Sequence, residues 1–168
     1  SFRYLAYLRV MPKLTAQIFK RLHQPHARSH KGDIGVLYIA AGSKQYHGAL
    51  QYAVLAASPF VDLIYVETDS SNLALLRVLK TVHPAIIHVA VAQRARYLQR
   101  SDCLLLGPGL GRTVSAKRLT RALLRHPKRP SKTVIDADAL HFMLPRLLTA
   151  GTIITPHPGE YRAVFGAT

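Results

Sequence analysis

A glycine-rich stretch is the first candidate for a ligand-binding segment. Residues 107–111 read Gly-Pro-Gly-Leu-Gly and lie between a predicted strand and a predicted helix. Glycine adopts positive φ and lets a ligand come close, so the amides of Gly107, Gly109 and Gly111 can point at one anion beside the helix N-terminus. A phosphate or pyrophosphate would suit such a loop. The alternative is structural, since tight strand-to-helix turns need glycine anyway, and no P-loop lysine follows.

Two of the eight acidic residues, Asp136 and Asp138, flank Ala137 after another predicted strand. Carboxylates placed there can hold a hydroxyl group, a Mg²⁺-bound water or a cation. Helix capping is the competing interpretation, because Asp138 directly precedes predicted helical residues. We predict capping for Asp138 and a catalytic-site role for Asp136.

Residues 155–160, Thr-Pro-His-Pro-Gly-Glu, carry an imidazole on a backbone that two prolines restrict. A rigid loop of this kind suits His157 to ligand contact, with Glu160 three residues later. The same residues also fit the start of a helix, because Pro158 favours its first position and an acidic residue favours its first turn. The two interpretations are compatible.

Two earlier segments add candidate binding residues. Gly42 and Ser43 directly follow the first predicted strand, where a ligand would approach a sheet. Lys31 lies in the His-Lys-Gly-Asp segment 30–33 before that strand and supplies a cation, although a simple turn with a paired Lys and Asp explains it as well. The histidines and the cysteine form no pattern that predicts a metal site.

The elements that must position these clusters alternate between short apolar strands and helical patterns. This alternation is typical of an α/β fold in which a parallel sheet is covered by helices on both faces. Four clusters follow strands, so they should meet at one edge of the sheet. We predict strands over 36–41, 62–68, 86–91, 103–106, 133–135 and 152–154, and helices over 14–22, 48–58, 70–82, 92–99, within 112–132, from 139 and over 160–165. We expect Pro59 to end the helix over 48–58, and Ser70 or Ser71 to cap the helix that continues to about 82.

Composition sets further limits. The chain has 168 residues, of which 49% are hydrophobic, and this suits one self-supporting core and excludes a disordered chain. The single Cys103 excludes an internal disulfide and fits a cytoplasmic location. The longest uncharged stretch, 45–61, is too polar for a membrane span, and the N-terminus lacks a secretory pattern.

The formal net charge of +15 would attract any polyanion. A basic proteome or a solvated helix face explains this charge better than a function does, and without a nucleic-acid-binding motif we predict no nucleic-acid partner. The densest basic stretch predicts an amphipathic surface helix that begins at a Thr113 or Ser115 cap. Its two sides consist of Lys117, Arg121 and Arg125 and of Leu119, Ala122 and Leu123.

Taken in order, the motifs resemble one family over residues 14–166. It is the family of ADP- or ATP-dependent NAD(P)H-hydrate dehydratases, in the ribokinase-like superfamily. The segments that carry the resemblance are His-Lys-Gly-Asp-Ile-Gly at 30–35, Ala-Gly-Ser at 41–43, Tyr-His-Gly-Ala at 46–49, the glycine stretch 107–111, Asp-Ala-Asp-Ala-Leu at 136–140 and the segment 155–160.

The resemblance implies a three-layer α/β/α domain with a mostly parallel sheet that repairs hydrated nicotinamide dinucleotides. Family members phosphorylate the hydroxyl of the hydrated ring with ADP or ATP, and loss of phosphate restores NADH or NADPH. The cofactors implied are therefore ADP or ATP, accompanied by Mg²⁺, with NAD(P)H hydrate as the substrate. Carried over by position, Ala49, the glycines of 107–111 and His157 contact the dinucleotide, and Asp136 lies near the reacting centre.

The sequence also departs from the family pattern. Leu50 stands where proline is usual, and residues 58–62 replace a Gly-Ala-Gly-like stretch. In the family, a glycine-rich motif farther along carries the donor site and the main catalytic Asp, and the resemblance places that Asp beyond Thr168, where the sequence ends. We therefore expect residues 1–13 to be an extension and 14–168 a single incomplete domain, which is trimmed, completed by another chain, or a shortened relative. An unpaired sheet edge would favour a homo-oligomer.

Three alternatives to the dehydratase remain. One is a small-molecule kinase of the same superfamily, which the segment 155–160 disfavours. Another is a non-catalytic module that retains a dinucleotide-phosphate pocket, which the missing donor motif favours. The last is nonspecific nucleic-acid binding through the basic surface, for which a steep salt dependence would be diagnostic.

Overall fold

Six short strands form one sheet, and every pairing among the residues that the computed structural model describes, 35–166, is parallel. The order across the sheet is β3-β2-β1-β4-β5-β6. The chain therefore builds outward from β1 to β3, returns past β1, and continues on the other side with β4. The strands are β1 (Val36–Ala40), β2 (Leu63–Glu67), β3 (Ile86–His88), β4 (Cys103–Leu106), β5 (Lys132–Ile135) and β6 (Thr152–Ile154).

Five α-helices connect or follow these strands in the described part of the chain. They are α1 (His47–Ala57), α2 (Leu73–Val82), α3 (Arg94–Leu98), α4 (Val114–Arg125) and α5 (Pro158–Phe165). Short 3-10 turns lie at Ser70–Asn72, Val91–Gln93, Ala137–His141 and Pro145–Leu147. Between residues 35 and 166, none of the helices has the length and apolar character needed to span a membrane.

The core lies on both faces of the sheet. Along β1 the side chains alternate, so that Tyr38 and Ala40 join one buried cluster while Ile39 and Ala41 join the other. The first cluster includes Leu98 of α3 and Leu123 and Leu124 of α4, and the second includes Leu50 and Val54 of α1 and Leu76 and Leu79 of α2. The predicted three-layer α/β/α fold is thereby confirmed.

The predicted elements differ from the observed ones mostly at their ends. β4 and β6 have the predicted bounds, whereas β3 ends at His88, where its pairing with β2 ends. The helix predicted over 92–99 is a 3-10 turn followed by α3, and the helix predicted from 139 is the 3-10 turn Ala137–His141. Pattern alone does not separate these tighter turns from α-helix.

Two helix starts test the capping predictions. The cap of α4 is confirmed, because the Thr113 hydroxyl accepts from the Ala116 amide. The cap predicted at Ser70 or Ser71 is wrong, since the preceding Asp69 carboxylate accepts from both the amide and the hydroxyl of Ser71. Asp69 lies two residues after β2, has an extended backbone and occupies the cap position of the 3-10 turn.

The amphipathic helix is confirmed with one correction. Ala122 is exposed, because the buried stripe of α4 runs through Ala116, Thr120, Leu123 and Leu124. Leu119 is partly buried and packs against the core. An α-helix has 3.6 residues per turn. Because Thr120 and Leu124 face the sheet, Ala122 between them lies on the opposite side of the helix.

The departures from the family pattern have simple structural outcomes. Leu50 belongs to α1 and is fully buried, on the side of the helix that packs into the core. The helix ends at Ala57, where the Ser58 amide donates to the Val54 carbonyl and the Ser58 hydroxyl to the Leu55 carbonyl. Pro59 then prevents continuation, as predicted.

Part of the sequence interpretation lies outside the described residues 35–166. The predicted helix 14–22, the extension 1–13 and Lys31 come before these residues. Thr168, beyond which the main catalytic Asp is expected, comes after them. The division into 1–13 and 14–168 and the position of that Asp therefore stay predictions.

Candidate functional site

A large cleft opens at the carboxyl ends of β1 and β4, with a volume of about 1410 Å³. This is the point where the strand order reverses, which is where open α/β sheets bind ligands. Its walls come from the ends of β1 and β2, the start of α3, the glycine stretch and α4. The residues that line it include Gly42, Ser43, Lys44, Tyr46, Glu67, Thr68, Asp69, Val91, Arg94, Leu110, Gly111, Arg112, Thr113, Arg118 and Asp138.

Two of the three predicted loop glycines serve close packing. Gly107 has a φ of +129°, and a Cβ there would lie 1.8 Å from the Asp136 carbonyl oxygen. Gly109 has a φ of +66°, and its Cβ would lie 2.5 Å from the Tyr46 carbonyl oxygen and 2.7 Å from the Ala49 Cβ. The structural interpretation of the loop therefore holds at both positions. Ala49 lies behind the loop, against Gly109.

The third glycine lies in the cleft wall, and its amide already has an acceptor. Gly111 donates its N–H to the Asp138 Oδ2 at 2.8 Å, and the Asp138 Oδ1 lies 3.8 Å from the Arg112 Nε. The predicted capping role of Asp138 is therefore wrong. Ala137 has a φ of +50°, and Asp138 lies inside the 3-10 turn rather than at its cap, so its carboxylate reaches the glycine loop.

Asp136 occupies the cap position of that turn without accepting a hydrogen bond from the turn's amides. Its Oδ1 accepts instead from the Thr155 hydroxyl at 2.6 Å, and its amide donates to the Leu106 carbonyl at 3.0 Å. These contacts join the ends of β4, β5 and β6. The catalytic role of Asp136 stays a prediction, since this carboxylate lies along the rim beside the cleft rather than in its lining.

His157 and Glu160 form a reciprocal cap at the start of α5. The His157 Nδ1 accepts from the Gly159 amide at 3.0 Å and the Glu160 amide at 3.4 Å, while the Glu160 Oε2 accepts from the His157 amide at 2.9 Å. The predicted helix start with Pro158 in its first turn is confirmed. The imidazole remains exposed at the rim, so contact with a ligand is compatible with capping and stays a prediction.

The predicted meeting of the four clusters at one edge of the sheet is confirmed. Gly42 donates to the Pro108 carbonyl at 2.8 Å, and the contacts of Gly107, Gly111 and Asp136 continue the series to β6. The cleft contains Gly42, Ser43 and Gly111, whereas Ala49, Gly107, Gly109, Asp136, His157 and Glu160 lie behind it or farther along the rim.

A buried charged cluster at the β2 end of the cleft was not predicted. The Glu67 carboxylate accepts from the Tyr38 hydroxyl at 2.6 Å and from the Arg94 Nε at 3.0 and 3.2 Å, with a further bond from the Arg94 Nη2. Burial and the Glu67 charge raise the pKa of Tyr38, and the hydrogen bond to Glu67 raises the pKa of Arg94. The sequence signal that could have indicated this cluster is Glu67, an acidic residue at the end of an otherwise apolar strand.

The other charges of the cleft are partly balanced. Hydrogen bonds from Ser71, aided by the charge of Lys44, lower the pKa of Asp69. Asp138 faces Arg112, while Arg118 adds a cation on α4. Cationic side chains thus line the cleft from Lys44 to Arg118, an arrangement suited to an extended anion. Within residues 35–166, no group of three His, Cys, Asp or Glu side chains is arranged to hold a metal ion.

The sheet, its strand order and the helices on both faces define a three-layer α/β/α domain with a parallel sheet and a cleft at the strand-order reversal. A family model described as NAD(P)H-hydrate dehydratase matches residues 37–168. The chain belongs to this family. It is 30% identical over 162 residues to an ADP-dependent (S)-NAD(P)H-hydrate dehydratase of Lactiplantibacillus plantarum, covering 93% of this chain and 58% of the relative. An ATP-dependent enzyme of Caenorhabditis elegans is 31% identical, covering 92% and 49%.

Solved structures agree on the fold. A ribokinase-like superfamily protein of Enterococcus faecalis superposes with a TM-score of 0.78 at 24% identity, covering 90% of this chain and 55% of that one. An ADP/ATP-dependent NAD(P)H-hydrate dehydratase of Bacillus subtilis, co-crystallised with ATP and Mg²⁺, gives 0.62 at 23%, covering 85% and 51%. The chain spans about half the length of these relatives.

Proposed function

We propose that this chain takes part in the repair of hydrated NADH and NADPH by binding the hydrated dinucleotide in the cleft between β1 and β4. The observation that carries the proposal is the cleft itself, which lies at the strand-order reversal and is lined by a glycine turn and cationic side chains. Its size and charge suit a diphosphate-bearing molecule with two nucleoside arms.

In this proposal the two parts of the rim contact different parts of the substrate. In this proposal the backbone at Gly42 and Ser43 and the N-terminus of α4 face the diphosphate, and Arg118 of α4 contributes a cation from the cleft lining. Asp136, His157 and Glu160 lie farther along the rim and would orient the hydrated nicotinamide ring. Lys31 is proposed as a further binding residue.

The phosphoryl donor is proposed to be ADP or ATP, because the relatives are named for dependence on one or the other. The donor supplies the phosphate that makes the ring hydroxyl a leaving group. We assign no described residue to Mg²⁺, which would accompany the donor's phosphates.

Binding by the 168-residue chain tests the proposal. Titration with hydrated NADH or NADPH, followed by calorimetry, should show saturable binding that weakens about three- to tenfold in Arg118→Gln. Arg125→Gln is the matched control, because it removes the same charge from the same helix outside the cleft lining. Failure of the unmodified chain to bind either hydrate, or equal weakening by both substitutions, would reject the cleft as the substrate site.

Turnover is a separate test. We expect the 168-residue segment alone to bind the hydrate without converting it in the presence of ADP or ATP and Mg²⁺, because the resemblance places the donor site and its Asp beyond Thr168. Recovery of reduced-nicotinamide absorbance would measure conversion. Conversion by the segment would overturn the expected division of roles, and it would establish the repair reaction directly.

Assembly and location are also proposals. β6 pairs only with β5 among the described residues, and Ile153 on β6 is 61% exposed. Unpaired backbone N–H and C=O groups along such an edge favour pairing with another chain, and the exposed Ile153 adds apolar surface that association would cover, which supports a homo-oligomer. Light scattering at several protein concentrations would measure it, and a monomer at all of them would contradict it. The cytoplasmic location predicted from the sequence is retained as part of this proposal.

A further inference from the structure

The β2 end of the cleft has the position at which other dinucleotide-binding sheets read the adenosine ribose. In open sheets with the strand order 3-2-1-4-5-6, an acid about 20 residues after the first glycine turn accepts a hydrogen bond from the ribose 2′-hydroxyl. An arginine nearby serves the 2′-phosphate instead. The present sheet has the same order, and Glu67 is the last residue of β2.

Glu67 is not free to accept from a ribose. Its side chain is 5% exposed, the Tyr38 hydroxyl occupies Oε2, and the Arg94 guanidinium occupies both oxygens through Nε and Nη2. A carboxylate already accepting these bonds and lying below the surface offers little to a neutral hydroxyl. The group that this end of the cleft presents to a ligand is therefore Arg94.

Arg94 is held in place before any ligand arrives. Its side chain is 18% exposed and lines the cleft, and its hydrogen bonds to Glu67 use Nε and Nη2 rather than Nη1. Because Glu67 fixes the plane of the guanidinium, a phosphate oxygen meeting Nη1 would cost little additional side-chain entropy. Lys44 lies at the same end of the cleft and offsets the charge of Asp69.

We propose that Arg94, fixed by Glu67 and Tyr38, forms a subsite for a phosphomonoester on the adenosine ribose, so that this chain prefers hydrated NADPH to hydrated NADH. The inference rests on the proposed function, because it assigns the adenosine arm of the dinucleotide to the β2 end of the cleft. The subsite itself can be tested with ligands that lack the nicotinamide arm.

The probes are 2′,5′-ADP, 3′,5′-ADP and 5′-AMP, titrated calorimetrically into the 168-residue chain. We expect 2′,5′-ADP to bind at least about tenfold more tightly than 5′-AMP, because a charge-assisted bond to a fixed arginine adds to the shared contacts. Comparison of 2′,5′-ADP with 3′,5′-ADP shows whether the subsite recognises a phosphate on the 2′ or on the 3′ position of the ribose. Equal affinity for 2′,5′-ADP and 5′-AMP overturns the subsite, and equal affinity for both bisphosphates overturns its assignment to the 2′ position.

Variants connect the preference to Arg94. The paired substitution Glu67→Gln with Arg94→Gln removes both buried charges together and avoids an orphan carboxylate. We expect it to reduce the tenfold preference to about twofold or less. Arg96→Gln removes an equal charge from α3 outside the cleft lining and should leave the preference unchanged. Arg94→Lys keeps the positive charge but lacks the planar guanidinium with its several N–H donors. Retention of the full preference for 2′,5′-ADP in Arg94→Lys or in the paired variant would contradict the proposal.

Titrations with hydrated NADPH and hydrated NADH separate this inference from the proposed function. If both dinucleotides bind and the Arg94 variants weaken both equally, the cleft binds dinucleotides and the 2′-phosphate subsite is rejected. If neither dinucleotide binds while 2′,5′-ADP keeps its Arg94-dependent preference, the subsite stands and the proposed function fails. A preference for hydrated NADPH that disappears in the paired variant supports both the inference and the proposed function.

Discussion

The two sides of the cleft use polar side chains in opposite ways. On the β4–β6 side, Asp138 and His157 accept from backbone amides, at Gly111 and at the start of α5. On the β2 side, Glu67 binds the side chains of Tyr38 and Arg94 and leaves part of a guanidinium in the cleft wall. The polar groups of the first side hold loops together, whereas the second side presents a fixed charge.

This difference shows that glycine, aspartate and histidine segments at a sheet edge can serve mainly to hold neighbouring backbone segments together. Gly107 and Gly109 permit contacts that no other residue allows, and Asp138 accepts from the amide of Gly111 in the cleft wall. The clearest preorganised cation instead lies among three residues far apart in the chain. Four substitutions, taken from the largest expected effect to the smallest, would break or sharpen this contrast.

Gly107→Ala should have the largest effect, because its Cβ would overlap the Asp136 carbonyl oxygen and its φ is +129°. We expect a loss of more than about 4 kcal/mol of unfolding free energy or failure to fold. Gly48→Ala is the control, since a Cβ there meets nothing within 4 Å, and it should be neutral or stabilising by about 0.5–1 kcal/mol. Urea unfolding measures both, and similar results would refute a packing role for Gly107.

Arg94→Ala should cost about 3–5 kcal/mol, because it leaves the Glu67 carboxylate buried without its ion partner. Replacing both partners by glutamine should recover most of that loss, since no charge is then stranded. Chemical denaturation of the single and paired variants measures the difference. If the paired variant is as unstable as Arg94→Ala, the pair contributes through packing rather than through charge.

Asp138→Ala should cost about 1–3 kcal/mol by leaving the buried Gly111 amide without an acceptor. Asp138→Asn keeps an acceptor oxygen and should cost less. By removing a negative charge from the cleft lining, Asp138→Asn should also tighten binding of 5′-AMP by about two- to fivefold. Calorimetry would measure that shift, and unchanged affinity would place the phosphate away from this wall.

His157→Ala should have the smallest effect, about 1 kcal/mol, because it removes a helix cap at an exposed position. His157→Asn should restore most of that stability, since asparagine is a good cap. Thermal unfolding measures the stability, and hydrate binding provides a second readout. Weaker hydrate binding by the asparagine variant with restored stability would show that the imidazole also contacts the ligand.

Much of the fold followed from local pattern. Apolar strand runs and their spacing predicted β1, β4 and β6 closely, and Thr113 was recognised as a possible cap. The common edge of the glycine, aspartate and histidine segments followed from parallel strand order alone. The bounds of β3 and the 3-10 turns did not, because pairing at the sheet edge and turn geometry depend on neighbours that pattern does not reveal.

The site was less predictable than the fold. The positions of Asp138 and His157 at the rim were predicted from the sequence. The groups with which their side chains form hydrogen bonds were not. Asp138 was expected to cap and instead binds Gly111. Tyr38, Glu67 and Arg94 received no notice, because an ion cluster assembled from two adjacent strands and a helix has no sequence spacing of its own.

The order of apolar runs and turns along the chain by itself fixes which residues follow a strand, because side-chain alternation and chain connectivity are local properties. Packing of the helices and strands decides which of those residues stay available to a ligand. A polar side chain satisfies the nearest strong donor or acceptor, and folding chooses that neighbour by bringing together residues that the sequence keeps far apart.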